Sequence, residues 1–206
     1  MFREGRMTAE TGKWGWKAPH SIYYLPFFDY YFSGRFRFIH VIRDGRDIAL
    51  GDNQNQYKGA CSKADSVGGE CDSSISSRLL YWAVMNMEVF DYGINVLGPD
   101  KYFPVRTEDY ALKPDATETL IDMLDFLGEQ RPEPAVRKVA EGCHGHEKSY
   151  GGKKFTPEQR QQYLREFGKV GAEALDFFGY RQDDWGLTEG RPPFQTMLQA
   201  KRLRRD

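Results

Sequence analysis

The stretch FIHVIRDGRDIALGDN, from Phe38 to Asn53, decides the fold of this chain of 206 residues. A run of apolar and β-branched side chains ends abruptly at a charged turn that begins with Arg43, and a helix-compatible segment follows. This order predicts a buried strand, a turn and the start of a helix. In an open α/β sheet, ligands bind beyond the carboxyl ends of the strands, and the N-terminus of a following helix attracts anions. Arg43 is therefore predicted to lie where a phosphate group would bind.

The segments on both sides of this stretch predict a chain of mixed α/β class. Strands are expected from Arg35 to Ile42 and from Tyr102 to Arg106, and Trp14 to Lys17 is expected to be a short strand or its exit. Proline, glycine and apolar spacing predict helices at Pro19–Phe32, Asp44–Tyr57, Ser76–Leu97 and Pro114–Leu127. The glycine- and serine-rich segment from Lys58 to Ser74 has no periodic apolar face and predicts a loop.

The overall charge points away from two classes of partner. With 29 basic and 30 acidic residues the net charge is −1, so neither nucleic acid nor an anionic membrane is expected as the main partner. The sequence has no signal peptide and no apolar run of about 18 residues, and no membrane span is predicted. Any site that binds an anion must therefore depend on a local group of basic residues and not on the overall charge.

Aromatic rings and candidate metal ligands lie in separate parts of the sequence. Seven rings crowd the segment from Tyr23 to Phe32, and we expect most of them in the core, with an acceptor pocket as the alternative. Cys143, His144 and His146 have no second ligand cluster, so no metal site is predicted. Three cysteines do not make a disulfide framework. One bridge between Cys61 and Cys71 could still form in an oxidising compartment.

Three motifs resemble the sulfotransferases that use 3′-phosphoadenosine 5′-phosphosulfate. The stretch around Arg43 is similar to their 3′-phosphate-binding element. A segment upstream of that element in the family is similar to Trp14–Phe28, which reads WGWKAPHSIYYLPFF. A segment downstream of it is similar to Val105–Gly128, which reads VRTEDYALKPDATETLIDMLDFLG. Together with weaker similarity around Ser149–Tyr180, the resemblance covers most of the chain from Trp14 onward.

The resemblance implies two catalytic residues. Lys17 matches the lysine of the W-G-x-K-x-P wording, which lies near the transferred sulfuryl group and its bridging oxygen. His20 follows where cytosolic relatives carry a basic histidine at a different spacing, and histidine suits general-base work near neutral pH. The alternatives are a surface lysine at a strand end and a polar residue in the first turn of a helix.

The resemblance also implies the residues that hold the donor nucleotide. Arg43 would offer its guanidinium to the 3′-phosphate, and its alternative role is an ion pair with Asp44 or Asp47. Gly51 occupies the position of a family serine that contacts the same phosphate, so backbone N–H groups or Asn53 would have to compensate for the missing hydroxyl. Lys153 and Lys154 would supply the charge of a basic loop that closes on the phosphate, and plain surface lysines are the alternative.

The architecture that the resemblance implies is a P-loop-NTPase-like three-layer sandwich, with a short parallel sheet flanked by helices. No glycine-rich loop for the 5′-phosphosulfate precedes Lys17, and the expectation is an N-terminally truncated version of the family domain. We expect a loose N-terminus at residues 1–13, a sulfotransferase-like domain at 14–185 and a C-terminal tail at 186–206.

The expected function is metal-independent transfer of a sulfuryl group from 3′-phosphoadenosine 5′-phosphosulfate to a hydroxyl or amine of an unidentified acceptor. The alternative is a non-catalytic or truncated relative that acts as a nucleotide-binding or interaction module. A cytoplasmic location is expected, and the Golgi lumen is the alternative location if a membrane anchor precedes the sequence.

Overall fold

The computed structural model describes residues 13–32, 34–65, 72–111, 116–143 and 168–180, together with the shorter pieces 156, 158, 161, 165–166, 194–195 and 198. This part of the chain is mixed α/β, mostly helical, with a two-stranded parallel sheet. The chain divides into two compact units, Met1–Phe36 and Arg37–Asp206. Within the described residues, no helix is long and apolar enough to cross a membrane.

The smaller unit is built on one helical segment. Pro19–Tyr24 is a 3₁₀ helix that continues directly into α1, Leu25–Phe32, so the predicted helix is confirmed. Pro19 starts the first part, and Pro26, which has no N–H to donate, lies where the 3₁₀ turns give way to the α-helix. The short strand expected before it is wrong, because residues 13–18 form no regular secondary structure.

The aromatic residues of this segment are more exposed than the sequence suggests. Five of the seven rings are between 36% and 86% exposed: Tyr23, Tyr24, Phe27, Tyr30 and Tyr31. Several of the rings contact one another, and Phe27 stacks on Tyr31 at 5.5 Å between ring centroids. The expectation that most of them belong to a core is therefore wrong.

The larger unit begins with the sheet. Strand β1, Phe38–Ile42, pairs in parallel with β2, Tyr102–Arg106, in a register that places Ile42 opposite Arg106. The second strand is confirmed with its predicted bounds, and the first is shorter than predicted because pairing starts where the Phe38 N–H donates to the Lys101 carbonyl at 2.7 Å. Both strands end at the same edge, as parallel pairing requires.

Two helices follow β1 where one was predicted. Helix α2, Gly45–Leu50, ends at Gly51, and α3 begins at Asn55 and runs to Asp65. The Gln54 side chain fills the break, donating to the carbonyls of Ile48 and Gly51 at 2.7 and 2.6 Å. The loop predicted from Lys58 is wrong up to Asp65.

Helix α4, Ile75–Tyr92, packs along α2 and joins a π-helical turn, Gly93–Leu97. It ends at Gly98, which has a φ of 74° and donates its N–H to the Gly93 carbonyl at 2.9 Å. This helix is confirmed. A Cβ at Gly93 would lie 2.4 Å from the Tyr102 ring, so only glycine lets β2 approach this turn.

The remaining helices complete the larger unit. They are α5, Glu108–Ala111, α6, Thr117–Leu127, α7, Glu133–Cys143, and α8, Gly168–Phe177. Gly128 ends α6 with a φ of 67°, as its position predicted. The core lies where α4 and α8 meet the end of β1 and includes Ile42, Leu79, Trp82, Leu175, Phe178 and Phe194. Phe194 is 1% exposed, so it packs in this core although it falls in the segment expected to be a tail.

Candidate functional site at the carboxyl end of the sheet

Arg43 lies directly after β1, at the edge where ligands bind in open α/β sheets. The indole Nε1 of Trp82 donates to the Arg43 carbonyl at 3.0 Å, which fixes the backbone. The Arg43 guanidinium is 3.3 Å from a carboxylate oxygen of Asp47, and the Arg43 side chain is 31% exposed. The alternative role as an ion-pair partner is thus confirmed, and the guanidinium remains within reach of solvent.

The start of α2 is capped by the protein itself. Asp44 Oδ1 accepts the backbone N–H of Arg46 at 2.9 Å, so a carboxylate already takes an N–H that could otherwise face an anion. Gly45 packs so tightly that a Cβ there would lie 2.4 Å from the Trp82 ring. The close contact between α2 and α4 therefore requires glycine at this position.

Arg46 turns inward, in contrast to Arg43. Its guanidinium binds Asp44 through Nε and NH2, at 2.9 and 2.7 Å, and both side chains are at most 2% exposed. A buried, doubly hydrogen-bonded ion pair holds the turn but offers nothing to a ligand.

Residues that follow β2 meet the same turn. Glu108 Oε1 accepts the Asp44 N–H at 3.0 Å, and its Oε2 accepts the Tyr180 hydroxyl at 2.8 Å. Burial, and then the nearby charge of Asp44, raise the pKa of Glu108 from 4.5 to about 7. The pKa of the Tyr180 phenol is raised for the same reasons, with Glu108 as its nearest acidic neighbour.

Arg106 and Asp109 form a second buried ion pair beside the first. Arg106 NH2 is 2.8 Å from Asp109 Oδ1, and Asp109 Oδ2 accepts the Phe194 N–H at 3.0 Å. The Arg106 guanidinium also donates to the Phe178 carbonyl at 3.3 Å. We call the five buried charged residues at this edge the strand-end cluster: Asp44, Arg46, Arg106, Glu108 and Asp109.

Sequence reasoning missed this cluster, although a signal for it exists. Charged residues lie at the ends of both strands, in the sequences RDGRD after Ile42 and RTED after Val105. Because parallel strands end at the same edge, these two runs had to meet. The cluster is buried, so its carboxylates are shielded from substrate, and what it does is hold the Arg43 turn.

A buried histidine supports the turn from the other side. His40 Nε2 faces the Asn86 side-chain oxygen at 3.0 Å, and Asn86 Nδ2 donates to the Trp82 carbonyl at 2.7 Å. Nε2 therefore carries the proton, and Nδ1 accepts the Tyr102 hydroxyl at 2.7 Å. Burial lowers the pKa of His40 to about 4, and this histidine is neutral at pH 7.

The other nucleotide-binding candidates occupy different places. Gly51 lies just after α2, and a Cβ there would be 2.9 Å from the Asp47 carbonyl, so a serine would not fit without a shift. The Asn53 side chain accepts the Asn55 N–H at 3.3 Å, near the start of α3. Lys153 and Lys154 lie outside the described residues.

The catalytic candidates belong to the smaller unit. Lys17 and His20 are both exposed, and the His20 ring lies 6.0 Å from the Tyr23 ring. Arg43 and Gly51 belong to the larger unit. Within the described residues, no group of three or more His, Cys, Asp or Glu side chains is placed to hold a metal ion.

The arrangement can bind an anion at one point. A guanidinium with a fixed backbone and partial exposure, at the ligand-binding edge of a parallel sheet, can exchange part of its contact with Asp47 for a phosphate.

Comparisons of the chain with protein-family models, with curated proteins and with solved structures found no match.

Proposed function

We propose that this chain is a sulfotransferase-like domain that binds 3′-phosphoadenosine 5′-phosphosulfate and transfers its sulfuryl group to a hydroxyl or amine acceptor. The observation that carries the proposal is the position of Arg43, half-buried after β1 with its carbonyl held by Trp82. Arg43 would anchor the 3′-phosphate of the donor. The parallel strands joined through helices support the proposed three-layer, P-loop-like architecture.

The roles of the remaining residues follow from the chemistry of an in-line transfer. The acceptor oxygen or nitrogen attacks sulfur, the bond from sulfur to the bridging phosphate oxygen breaks, and adenosine 3′,5′-bisphosphate leaves. Lys17 would stabilise the negative charge on the departing phosphate oxygen, and His20 would take the proton of the acceptor. Lys153 and Lys154 would close on the 3′-phosphate.

A second candidate is a nucleotide-binding module without transfer activity. The crowding at Gly51 favours it, because the family serine that would contact the phosphate has no room here. Asp47 also competes with a phosphate for Arg43. Both features predict weaker donor binding than the family pattern implies.

The state of Cys61 bears on the compartment in which either candidate would work. Cys61 is disulfide-bonded. Disulfides persist in oxidising compartments and are rare in the cytosol. Between the two locations considered from the sequence, this favours a Golgi lumen over the cytoplasm as part of the proposal.

Calorimetric titration with adenosine 3′,5′-bisphosphate tests nucleotide binding. Arg43→Ala should weaken binding about tenfold to a hundredfold, because a charge-assisted hydrogen bond contributes roughly 1.5–3 kcal/mol. Adenosine 5′-monophosphate, which lacks the 3′-phosphate, should bind wild type and variant equally weakly. Arg37→Ala is the matched control, since Arg37 is an exposed arginine just before β1.

The outcomes separate the two candidates. Binding that needs both the 3′-phosphate and Arg43, with sulfuryl transfer to a screened acceptor, supports the enzyme. The same binding without transfer to any acceptor supports the nucleotide-binding module. Folded protein that takes up no bisphosphate would contradict both.

A further inference from the structure

Glu108 connects three parts of the larger unit at one buried point. It begins α5, its two carboxylate oxygens accept hydrogen bonds from the Asp44 N–H and the Tyr180 hydroxyl, and it is 1% exposed. The same Tyr180 oxygen lies 3.5 Å from the carbonyl of Ile42, the last residue of β1. Tyr180 thus has two possible acceptors, and both adjoin the Arg43 turn.

We propose that Glu108 and Tyr180 form a proton-operated switch that positions the Arg43 turn and thereby sets its affinity for anions. The first half of this proposal concerns the turn alone, and the second half rests on the proposed nucleotide binding. Glu108 is a positioning residue in this scheme, because it is buried and acts through Asp44 and Ile42.

The ionised state is the one whose contacts are described above. The Tyr180 hydroxyl donates to Glu108 Oε2, and the carboxylate holds the Asp44 N–H through a charge-assisted hydrogen bond. The Ile42 carbonyl is then shared by the N–H and hydroxyl of Thr107, at 2.7 and 3.3 Å.

Proton uptake reverses one of these bonds. The proton added to Glu108 Oε2 is donated to the Tyr180 oxygen, and the Tyr180 hydrogen turns towards the Ile42 carbonyl. That carbonyl has two lone pairs, so Tyr180 displaces the weaker donor, the Thr107 hydroxyl. The bond from the Asp44 N–H to Glu108 becomes a neutral one and weakens. One proton enters and the hydrogen bonds on both sides of Arg43 change.

The charged and titratable groups around Glu108 favour such a change near neutral pH. On the turn, Asp44 brings a negative charge near Glu108, and Arg46 pairs with this carboxylate. On β2, Arg106 brings a positive charge, and Asp109 pairs with this guanidinium. Among the described residues, Tyr110 and Tyr180 are further titratable neighbours, and burial keeps both phenols protonated by raising their pKa. Burial and Asp44 raise the pKa of Glu108 to about 7.

Nuclear magnetic resonance of the whole chain tests the first half without any ligand. The backbone amide signals of Asp44 and Thr107 should shift together between pH 5.5 and 8.5, with a midpoint near pH 7. Glu108→Gln should abolish both shifts. Glu118→Gln, which changes an exposed glutamate on α6, is the control and should leave both as they are.

Tyr180→Phe separates the switch from simple titration. It should keep the Asp44 shift and lose the Thr107 shift, because no hydroxyl remains to reach the Ile42 carbonyl. It also serves if Glu108→Gln does not fold. Amide signals that stay constant over this pH range in the wild type, or a Thr107 shift that persists in Tyr180→Phe, would overturn the proposal.

Titration with adenosine 3′,5′-bisphosphate at pH 6 and pH 8 tests the second half. At pH 8 the Glu108→Gln variant should bind about fivefold more tightly than the wild type, because its neutral side chain holds the Arg43 turn in the arrangement that the wild type reaches only when Glu108 takes up a proton. At pH 6 the two should bind alike. Equal affinities at both pH values would refute the effect on anions. No binding at any pH would refute nucleotide binding, and the amide shifts would still decide the switch.

Discussion

Burial follows opposite rules in two regions of this protein. The strand-end cluster of the larger unit places five charged side chains at 1–2% exposure, whereas the helical segment of the smaller unit leaves aromatic rings up to 86% exposed. Each charge in the cluster has a partner at hydrogen-bonding distance, whereas exposed rings such as Phe27 and Tyr31 have other rings beside them. The difference teaches that partners, more than polarity, decide which side chains are buried here.

The largest expected effect comes from breaking the buried pair in the cluster. Arg46→Ala leaves the Asp44 carboxylate buried without its guanidinium, and we expect a loss of about 3–5 kcal/mol in the free energy of unfolding. Chemical denaturation followed by circular dichroism measures it.

Arg43→Ala is the matched control for this variant. It removes a guanidinium only three positions away, but one that is 31% exposed and 3.3 Å from its carboxylate, so it should cost under about 1 kcal/mol. Equal costs for the two variants would contradict the contrast between inward and outward arginines on this turn.

A smaller effect is expected from acid acting on the buried histidine. The pKa of His40 is lowered from 6.5 to about 4 in the folded chain, so the unfolded chain binds the proton more readily. Stability from this group is therefore complete above pH 6.5 and is lost as the pH falls towards 4, by roughly 3 kcal/mol in total.

The stability of His40→Phe at several pH values checks this expectation. The variant should be less stable at pH 8, because Tyr102 and Asn86 lose their partner, and it should lose less further stability between pH 6.5 and 4 than the wild type. His20→Gln changes an exposed histidine of the smaller unit and should follow the wild-type profile. If the stability of His40→Phe fell with pH as steeply as that of the wild type, groups other than His40 would be the cause of the acid sensitivity.

Local signals in the sequence predicted much of the fold. The end of α6 at Gly128 and of the π turn at Gly98 follow from glycine at positions with positive φ, and β2 follows from its apolar run. Helix α3 was predicted as a loop from Lys58 onward because its polar composition resembles a loop. Its stability comes from distant contacts of Tyr57, whose hydroxyl donates to the Asp72 carbonyl and whose ring lies 5.6 Å from that of Tyr81.

The candidate site divides in the same way. Arg43 could be placed at the sheet edge from the strand and turn alone. The crowding at Gly45 depends on how α2 packs against Trp82, which no local pattern reveals. The burial of Glu108 is equally hidden from a local pattern, because it depends on Tyr180, 72 positions away.

The smallest effect is expected on the exposed side of the comparison. Tyr30 is 86% exposed, and Tyr30→Ser should change the free energy of unfolding by less than about 0.5 kcal/mol, as surface substitutions usually do. Phe28→Ala is the contrast on the same helix, because the Phe28 ring lies 5.2 Å from Trp16 and 6.0 Å from Phe32. Aromatic pairs contribute about 0.5–1.5 kcal/mol each, so this variant should lose clearly more stability in thermal denaturation. If Tyr30→Ser lost as much stability as Phe28→Ala, the exposure of a ring on this helix would not indicate its contribution to stability. The contrast between this exposed helix and the buried strand-end cluster would then be contradicted.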